Sequence, residues 1–310
     1  MFVIKPLGGL DITYTQLVVW IPNLLKIMSC IYKYMSRNRT GLARYRRAYG
    51  CCIQPTQTLQ IRTADLLIHF EANDPNSYPG SGSTWINIGT GGATYDATLL
   101  GIDPETEEPQ FPIFNIDNAG IKSFQLTKNY LGDGYAYNYY NHMQFPRPDA
   151  ISDDFTYCAW IKTTETGFGE NHYQLMYIVS TETGGLNDDF GFGIDNEGRL
   201  AYGDGKFDNS DITIRTTQTV NTGNWTFVAV TRNKTTGEVK LYINGVLDTT
   251  GTCNVDNTLS TATYVLIGSE TDFPGYTFGG NMGALLGNTS VLSAEDIMNN
   301  YNAQRSIYGL

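Results

Sequence analysis

The stretch WTFVAVTRNKTTGEVKLYINGVLDTT (225–250) contains two runs of alternating side chains separated by a turn-forming segment. Val228 and Val230 point to one face of the first run. Phe227 and Ala229 point to the opposite face, and the second run repeats the alternation. A period of two residues is that of a β-strand, and NKTTG has the composition of a turn. The stretch therefore predicts an antiparallel hairpin, and its NG dipeptide predicts a further turn into a third strand.

Similar short strand patterns occur along the chain from residue 65 onward, between segments rich in Gly, Asn, Asp and Thr. Examples are DLLIHF (65–70), FTYCAWI (155–161), QLMYIVS (174–180) and RLAYG (199–203). Charged residues make up 16% of the chain and aromatic residues 13%, a composition that favours β-structure over helical bundles. One helix is predicted near the end, where Ser293 is a suitable N-cap and Glu295 and Asp296 occupy the first turn. We therefore expect an all-β protein, an antiparallel β-sandwich with a short C-terminal helix.

The net charge of −11 is unevenly distributed along the chain. Residues 1–62 contain nine Lys or Arg and one acidic residue, a net charge of +8, and the remainder carries −19. This change of sign predicts two parts, a basic and partly hydrophobic N-terminal arm (1–62) and an acidic sandwich (63–310). Because phosphate backbones attract basic surfaces, the acidic sandwich is not expected to bind nucleic acid.

Residues 22–47 of the arm combine an amphipathic helical pattern after Pro22 with a group of arginines. The arginines are Arg37, Arg39, Arg44, Arg46 and Arg47. Three interpretations stay open: an arm that docks on another subunit or a capsid, a helix on an anionic membrane surface, and a translation start at Met28 or Met35 rather than Met1. The uncharged run is shorter than the about 20 residues of a spanning helix. Its flanks do not have the pattern of a cleavable signal peptide.

Several longer segments of the chain carry a family resemblance. They are LIHFEANDPNSYPGSGSTWINIG (67–89), DDFTYCAWIKT (153–163), the hairpin at 224–251, VLIGSE (265–270) and the C-terminal segment 280–310. Together they resemble the concanavalin A-like lectin/glucanase superfamily, in its laminin-G-like branch of phage, giant-virus and bacterial surface proteins. The resemblance implies a jelly-roll sandwich over residues 63–310. It also implies that Trp85, Trp160 and Trp225 are core residues, and we expect Trp225 between the two sheets.

The catalytic pattern of the superfamily's retaining glycosidases is absent from the sequence. Those enzymes place carboxylates on one strand as E-x-D-x-x-E, because strand alternation brings nucleophile and acid to one face. The chain's E-x-D is Glu270–Asp272, in a Pro- and Gly-rich segment that we interpret as a solvated loop. His69, His142 and His172 are too far apart in sequence to suggest a triad. We therefore expect a protein that is not an enzyme, with an atypical glycoside hydrolase as the alternative.

Two segments carry candidate glycan-binding residues. In YLGDGYAYNYYNH (130–142), Tyr135, Tyr137 and Tyr139 alternate and so share one face, with Asn141 close by. A second candidate, Tyr276, follows Pro and Gly. Aromatic rings stack on the apolar faces of sugars, and amides bond to their hydroxyl groups. The other interpretation of the tyrosines is a half-buried strand.

Calcium is a candidate cofactor, because the resemblance implies calcium sites at loop rims. The candidate ligands are Asp74, Asn76, Asp188 and Asp189, which offer the oxygen atoms that hard cations prefer. An Asx turn explains the same residues without a metal.

These observations predict a non-enzymatic, lectin-like structural or surface protein of a virion or cell. It would bind glycan or protein through its loop rims, in many copies because each site would be weak. The arm would contact a capsid, another surface protein or an anionic membrane. A purely architectural module with no ligand is a further alternative.

Overall fold

The computed structural model describes residues 60–102, 108–128, 140–151, 153–185, 188–206, 211–270 and 276–310. The predicted arm lies almost entirely outside these residues, including its five arginines. Tyr135, Tyr137 and Tyr139 also lie outside them. Predictions that concern those residues stay predictions.

The described residues form sixteen strands and one α-helix, numbered here in chain order. They are β1 (Leu66–Glu71), β2 (Thr84–Trp85), β3 (Ala97–Ile102), β4 (Ile113–Ile116), β5 (Lys122–Leu126), β6 (Tyr140–Pro146), β7 (Phe155–Lys162), β8 (Met176–Ser180), β9 (Phe190–Ile194), β10 (Arg199–Asp204), β11 (Ile212–Thr219), β12 (Thr226–Asn233), β13 (Glu238–Ile243), β14 (Val246–Thr252), β15 (Tyr264–Ile267), β16 (Gly280–Asn288) and α1 (Ala294–Gln304).

The strands build two sheets. Sheet I has the order β14-β13-β12-β7-β16-β5-β4, with β1 also paired to β16. Sheet II has the order β11-β10-β9-β8-β15-β6-β3-β2. All the described strand pairs are antiparallel. The predicted antiparallel sandwich with one short C-terminal helix is therefore confirmed.

The predicted hairpin is β12–β13, with Val228 opposite Ile243 and Val230 opposite Leu241. The next turn, into β14, has Asn244 at φ 50° and Gly245 at φ 79°. Two consecutive residues with positive φ are what a tight two-residue turn requires, and Asn-Gly accepts that geometry at little cost. The local sequence therefore accounts for three neighbouring strands of sheet I.

The central strands of sheet I are buried on both faces, which explains why β7 is almost wholly apolar. Phe155, Tyr157 and Ile161 of β7 point into the main core between the sheets. Cys158 and Trp160 point outward into a second apolar cluster, covered by α1 and the last residues of the chain. Such a strand shows a continuous apolar run because neither face meets water.

Trp225 belongs to the second cluster, so the prediction that it lies between the sheets is wrong. It is buried at 8% exposure, and its ring centroid lies 4.9 Å from that of Tyr308. The reason is the period of the strand, since Trp225 precedes Phe227 and Ala229 on the outer face of sheet I. Trp85 and Trp160 are fully buried, as expected.

The C-terminal segment is stabilised by a helix cap at its start and by hydrogen bonds to a buried carboxylate near its end. Ser293 caps α1, as the sequence predicted, and it also forms a reciprocal capping box with Asp296. Beyond α1, the Tyr308 hydroxyl donates to Glu71 Oε1 at 3.0 Å, and Gln304 Nε2 donates to Glu71 Oε2 at 3.1 Å. The chain end is thereby held against β1.

The residues just before β1 also contact α1. Ile61 packs on the second cluster, the Arg62 N–H donates to Asn300 Oδ1 at 2.8 Å, and the Arg62 guanidinium lies 3.1 Å from Asp296 Oδ1. A truncated protein that keeps these contacts must therefore begin before Ile61. The helices of the described residues include none with the length and apolar character needed to span a bilayer.

Candidate functional site

The outer face of sheet II carries a shallow floor made by glycine. In FGFGI (β9), the large side chains point into the core, so Gly191 and Gly193 face outward. Gly203 of β10 does the same. A Cβ atom at Gly191 would lie 2.6 Å from Tyr177 Cε1, and one at Gly203 would collide with His172 Cβ. The glycines therefore let Tyr177 and His172 lie flat on the sheet.

Above this floor is a pocket of about 460 Å³, here called the acidic pocket. Its polar and aromatic lining comprises His172, Tyr173, Glu182, Asp189, Asp211, Glu270 and Tyr276. A second pocket of about 500 Å³ lies over β3, β6 and β15 and shares Glu270 with it. Glu270 therefore lies where the two pockets adjoin on the outer face of sheet II.

Three side chains at the acidic pocket form a compact cluster. His172 Nε2 lies 3.3 Å from Glu182 Oε2 and 4.0 Å from Asp189 Oδ1. All three residues are buried, at 2%, 4% and 1% exposure. His172 belongs to the short 3-10 turn before β8, and the two acids occupy the connection between β8 and β9. The strand pairing of β8 with β9 therefore brings these acids together.

Hydrogen bonds hold the cluster in place. The Thr183 N–H donates to Asp189 Oδ2 at 3.0 Å, which leaves Oδ1 directed to His172. The His172 N–H donates to Thr213 Oγ1 at 2.9 Å, and the His172 carbonyl accepts from the Tyr177 hydroxyl at 3.0 Å. The ring of His172 is thus anchored through its own backbone on both sides.

Interactions within the cluster raise the pKa values of Asp189 and His172. Burial, reinforced by the nearby charge of Glu182, raises the pKa of Asp189 to about 8. Burial alone lowers the pKa of His172, but the adjacent Glu182 carboxylate, with the charge of Asp189, outweighs it and raises that pKa. In the adjoining pocket, burial lowers the pKa of His142 to about 4, so that imidazole is neutral at pH 7.

Of the residues proposed from sequence, Tyr276 and Asp189 meet at the acidic pocket. Tyr276 also packs against Phe168, with ring centroids 4.9 Å apart. Asn141 is buried, and its Oδ1 accepts from the Thr127 N–H at 3.0 Å, so it stabilises the fold locally.

The remaining calcium candidates lie in turns. Asp74 Oδ1 accepts from both the N–H and the side-chain amide of Asn76, at 2.8 and 2.9 Å, which is an Asx turn. Asp188 Oδ2 accepts from Thr258 Oγ1 at 3.2 Å. In the part of the chain that the structure describes, neither Asp74 nor Asp188 joins a group of three His, Cys, Asp or Glu side chains.

Sequence reasoning did not assign His172, Glu182 or Glu270 to a site. The solvated-loop interpretation of Glu270 is wrong, because that side chain is 4% exposed and lines both pockets. One signal was present: Glu182 and Asp189 lie in the segment between the predicted strands at 174–180 and 199–203. The positions of His172 and Glu270 depend on pairings between distant strands.

Comparisons with known proteins agree with this architecture. A family profile described as the Concanavalin A-like lectin/glucanases superfamily matches residues 136–298. Among curated protein sequences, no significant match was found.

Three solved structures illustrate the likeness in fold. The binding domain of botulinum neurotoxin DC in complex with SialylT has 14% identity and a TM-score of 0.51, over 77% of this chain and 51% of that one. The same toxin's binding domain in complex with rat synaptotagmin II has 13% identity, a TM-score of 0.51 and the same coverage. Domain 4 of AbnA, a GH43 extracellular arabinanase from Geobacillus stearothermophilus, in complex with arabinotriose, has 18% identity and a TM-score of 0.51, over 77% of this chain and 100% of that one.

The aligned region spans about half of the neurotoxin binding domain. At these identities the structural likeness concerns the fold alone. The family profile, however, covers more than half of the chain and includes the described residues that line the acidic pocket. The chain therefore belongs to the concanavalin A-like lectin/glucanase superfamily.

Proposed function

We propose that the chain is a non-enzymatic glycan-binding protein and that the acidic pocket is its binding site. The observation that carries the proposal is the combination of Tyr173 and Tyr276 with buried carboxylates in one concave site. Sugars are bound by aromatic faces together with a few fixed hydrogen-bonding groups, and the pocket offers both. Two structural neighbours were solved with a sugar ligand, which supports the same class of partner.

The pocket differs from the loop-rim surface expected from sequence, although it uses two of the same residues. Tyr276 and Asp189 were candidates, and the pocket adds an exposed aromatic, Tyr173 (42% exposed), at its opening. A ring exposed to this degree is available for stacking.

Glycan-array screening followed by calorimetry of the full chain tests the proposal. Tyr276→Ala and Tyr173→Ala should each weaken binding of the best array ligand at least tenfold. The matched control is Phe111→Ala, because Phe111 is also 42% exposed and lines neither pocket. The proposal would be rejected if no glycan on the array bound the protein. It would also be rejected if neither tyrosine substitution changed the affinity for the best ligand.

A glycoside hydrolase is the second candidate, and one observation favours it. Asp189, whose pKa burial and Glu182 raise to about 8, holds a proton at neutral pH in a pocket that also contains Glu270. A protonated acid beside a second carboxylate is the pair that glycosidic cleavage requires. Release of reducing sugar from a polysaccharide panel, lost in Asp189→Asn and Glu270→Gln, would establish this candidate over the first.

We propose further that the protein is displayed in many copies on a virion or cell surface. The support is the charge segregation, +8 in residues 1–62 against −19 in the remainder, which suits an arm that attaches to a capsid or an anionic membrane while the sandwich faces outward. A single sugar site of about millimolar Kd gains up to 10²–10⁴ in avidity when copies act together. Immunogold labelling of intact particles or cells checks the location.

A further inference from the structure

We propose that His172, Glu182 and Asp189 bind a divalent transition-metal ion, Zn²⁺ or Mn²⁺, at the floor of the acidic pocket. This site goes beyond sugar binding and does not depend on it.

The first argument is the spacing of the donor atoms. The three side chains place one nitrogen and two carboxylate oxygens within 4.8 Å of one another. Bonds of about 2.1 Å around a tetrahedral ion separate neighbouring donors by about 3.4 Å, and octahedral geometry brings them to about 3.0 Å. The His172–Glu182 distance of 3.3 Å already fits, and the His172–Asp189 distance of 4.0 Å needs a contraction of about half an ångström.

The second, independent argument is an unsatisfied buried atom. Glu182 is 4% exposed, and its Oε2 lies 3.3 Å from His172 Nε2, but no contact of this oxygen with the described residues has the geometry of a hydrogen bond. A carboxylate oxygen buried without a partner is costly, so native folds normally supply one. A cation between Oε2, the imidazole and Asp189 supplies that partner.

The donor types select the class of metal. Calcium takes six to eight oxygen ligands, and an imidazole nitrogen is not among the ligands it prefers. Imidazole combined with carboxylates suits zinc and the neighbouring first-row metals. Of the calcium ligands that the sequence suggested, only Asp189 belongs to this set, whose imidazole favours a different class of metal.

The surroundings of the cluster match what a metal centre needs. Asp189 is oriented by the Thr183 N–H at 3.0 Å, and the backbone of His172 is anchored to Thr213 at 2.9 Å. Such contacts fix donors before the metal arrives and reduce the entropic cost of binding. Because all three donors line a pocket, the remaining coordination positions of the ion would face its interior.

Calorimetric titration of ZnCl₂, MnCl₂ and CaCl₂ into the chelator-treated full chain, without a histidine tag, tests the site. Zinc or manganese should bind with a stoichiometry of one at this site and raise the melting temperature, because a ligand of the native state stabilises it. His172→Gln and Asp189→Asn should each reduce that affinity at least tenfold. The matched control is Asp188→Asn, which removes the neighbouring carboxylate outside the cluster and should leave metal binding unchanged.

A second measurement serves if either variant fails to fold. In crystals of the unsubstituted protein soaked with zinc, anomalous scattering at the zinc edge should give a peak among His172, Glu182 and Asp189. The proposal is overturned by saturable binding of calcium alone, by zinc and manganese affinities that both substitutions leave unchanged, or by crystals without an anomalous peak at these residues.

Discussion

Replacing Arg232 by methionine should destabilise the sandwich strongly. Arg232 lies in β12, fully buried at the edge of the core. Its guanidinium donates to the carbonyls of Asp153 at 2.5 Å, Asn254 at 3.2 Å and Asn257 at 3.1 Å. Its Nε lies 3.8 Å from Asp204 Oδ2, and that carboxylate is also fully buried. The substitution fills much of the same volume but leaves three carbonyls without this donor and the Asp204 carboxylate without the cation that faces it.

The expected cost at pH 7 is about 3–5 kcal/mol, the range for breaking a buried pair by removing one partner. Part of it depends on pH. Burial raises the pKa of Asp204 to about 6, and Arg232 opposes that shift, so the pKa rises further in the variant. Near pH 7, Asp204 therefore keeps its proton in the folded variant, whereas it releases that proton in the folded unsubstituted protein. Each unit of pKa difference is about 1.4 kcal/mol.

At pH 5 the Asp204 carboxyl is mostly protonated in both native forms, since its pKa is about 6 before the substitution. A raised carboxyl pKa destabilises the fold as the pH rises from the unfolded value through the folded value. The cost of Arg232→Met should therefore shrink by about 1 kcal/mol between pH 7 and pH 5. Adding Asp204→Asn should recover a similar amount at pH 7, because it removes the uncompensated carboxyl.

Urea unfolding of the full chain, followed by tryptophan fluorescence at both pH values, measures these differences. The matched control is Lys234→Met, which breaks the exposed contact between Lys234 Nζ and Asp153 Oδ1 at 2.6 Å. It should cost less than about 1 kcal/mol. A cost for Arg232→Met no larger than that of the control, or one that is the same at both pH values, would refute the reasoning.

Three further predictions concern the chain end, a buried histidine and the arm. Tyr308→Phe removes the hydroxyl that donates to buried Glu71 at 3.0 Å and should cost about 1.5–3 kcal/mol in urea unfolding. Tyr308→Ala should cost more, since it also loses the ring stacked 4.3 Å from Trp160; equal costs would contradict this. Burial lowers the pKa of His142 to about 4, so acidification from pH 6.5 to pH 4 should destabilise the unsubstituted protein by up to about 3 kcal/mol relative to His142→Gln. Parallel stability curves for the two proteins would show that His142 does not titrate in this way. A protein reduced to residues 59–310 should melt cooperatively and lose binding to anionic vesicles, and retained vesicle binding in a flotation assay would remove the membrane interpretation of the arm.

The strands and the terminal helix were predictable because their signals are local. The alternation in residues 225–250 and the Asn244-Gly245 turn specify their structure within a few residues. The Ser293 cap needs only the next three residues to form. The family resemblance, stated from longer segments, placed these elements in the right fold.

The face on which each side chain would be buried was not predictable in the same way. The alternation of side chains places Trp225 and Val228 on opposite faces of sheet I. It does not indicate which face packs against sheet II and which packs against the helix. Arg232 lies near the end of an apolar strand pattern, where a charged side chain is ordinarily exposed. In the structure, however, it is surrounded by three backbone carbonyls from two distant segments. The burial of Trp225 and that of Arg232 both depend on which segments of the chain cover sheet I.

The candidate site most clearly combines features that the local sequence predicts with features that only the tertiary structure decides. The sequence by itself predicted the strand at 174–180, just before Glu182 and Asp189, because the two-residue period of a β-strand is visible in the strand's own residues. Only the tertiary structure decided that His172 and Glu270 would join those acids. Glu270 follows β15, and its position depends on β15 pairing with β8 across more than eighty residues of chain. Register between distant strands is selected by the packing of the whole core, so no local pattern encodes it.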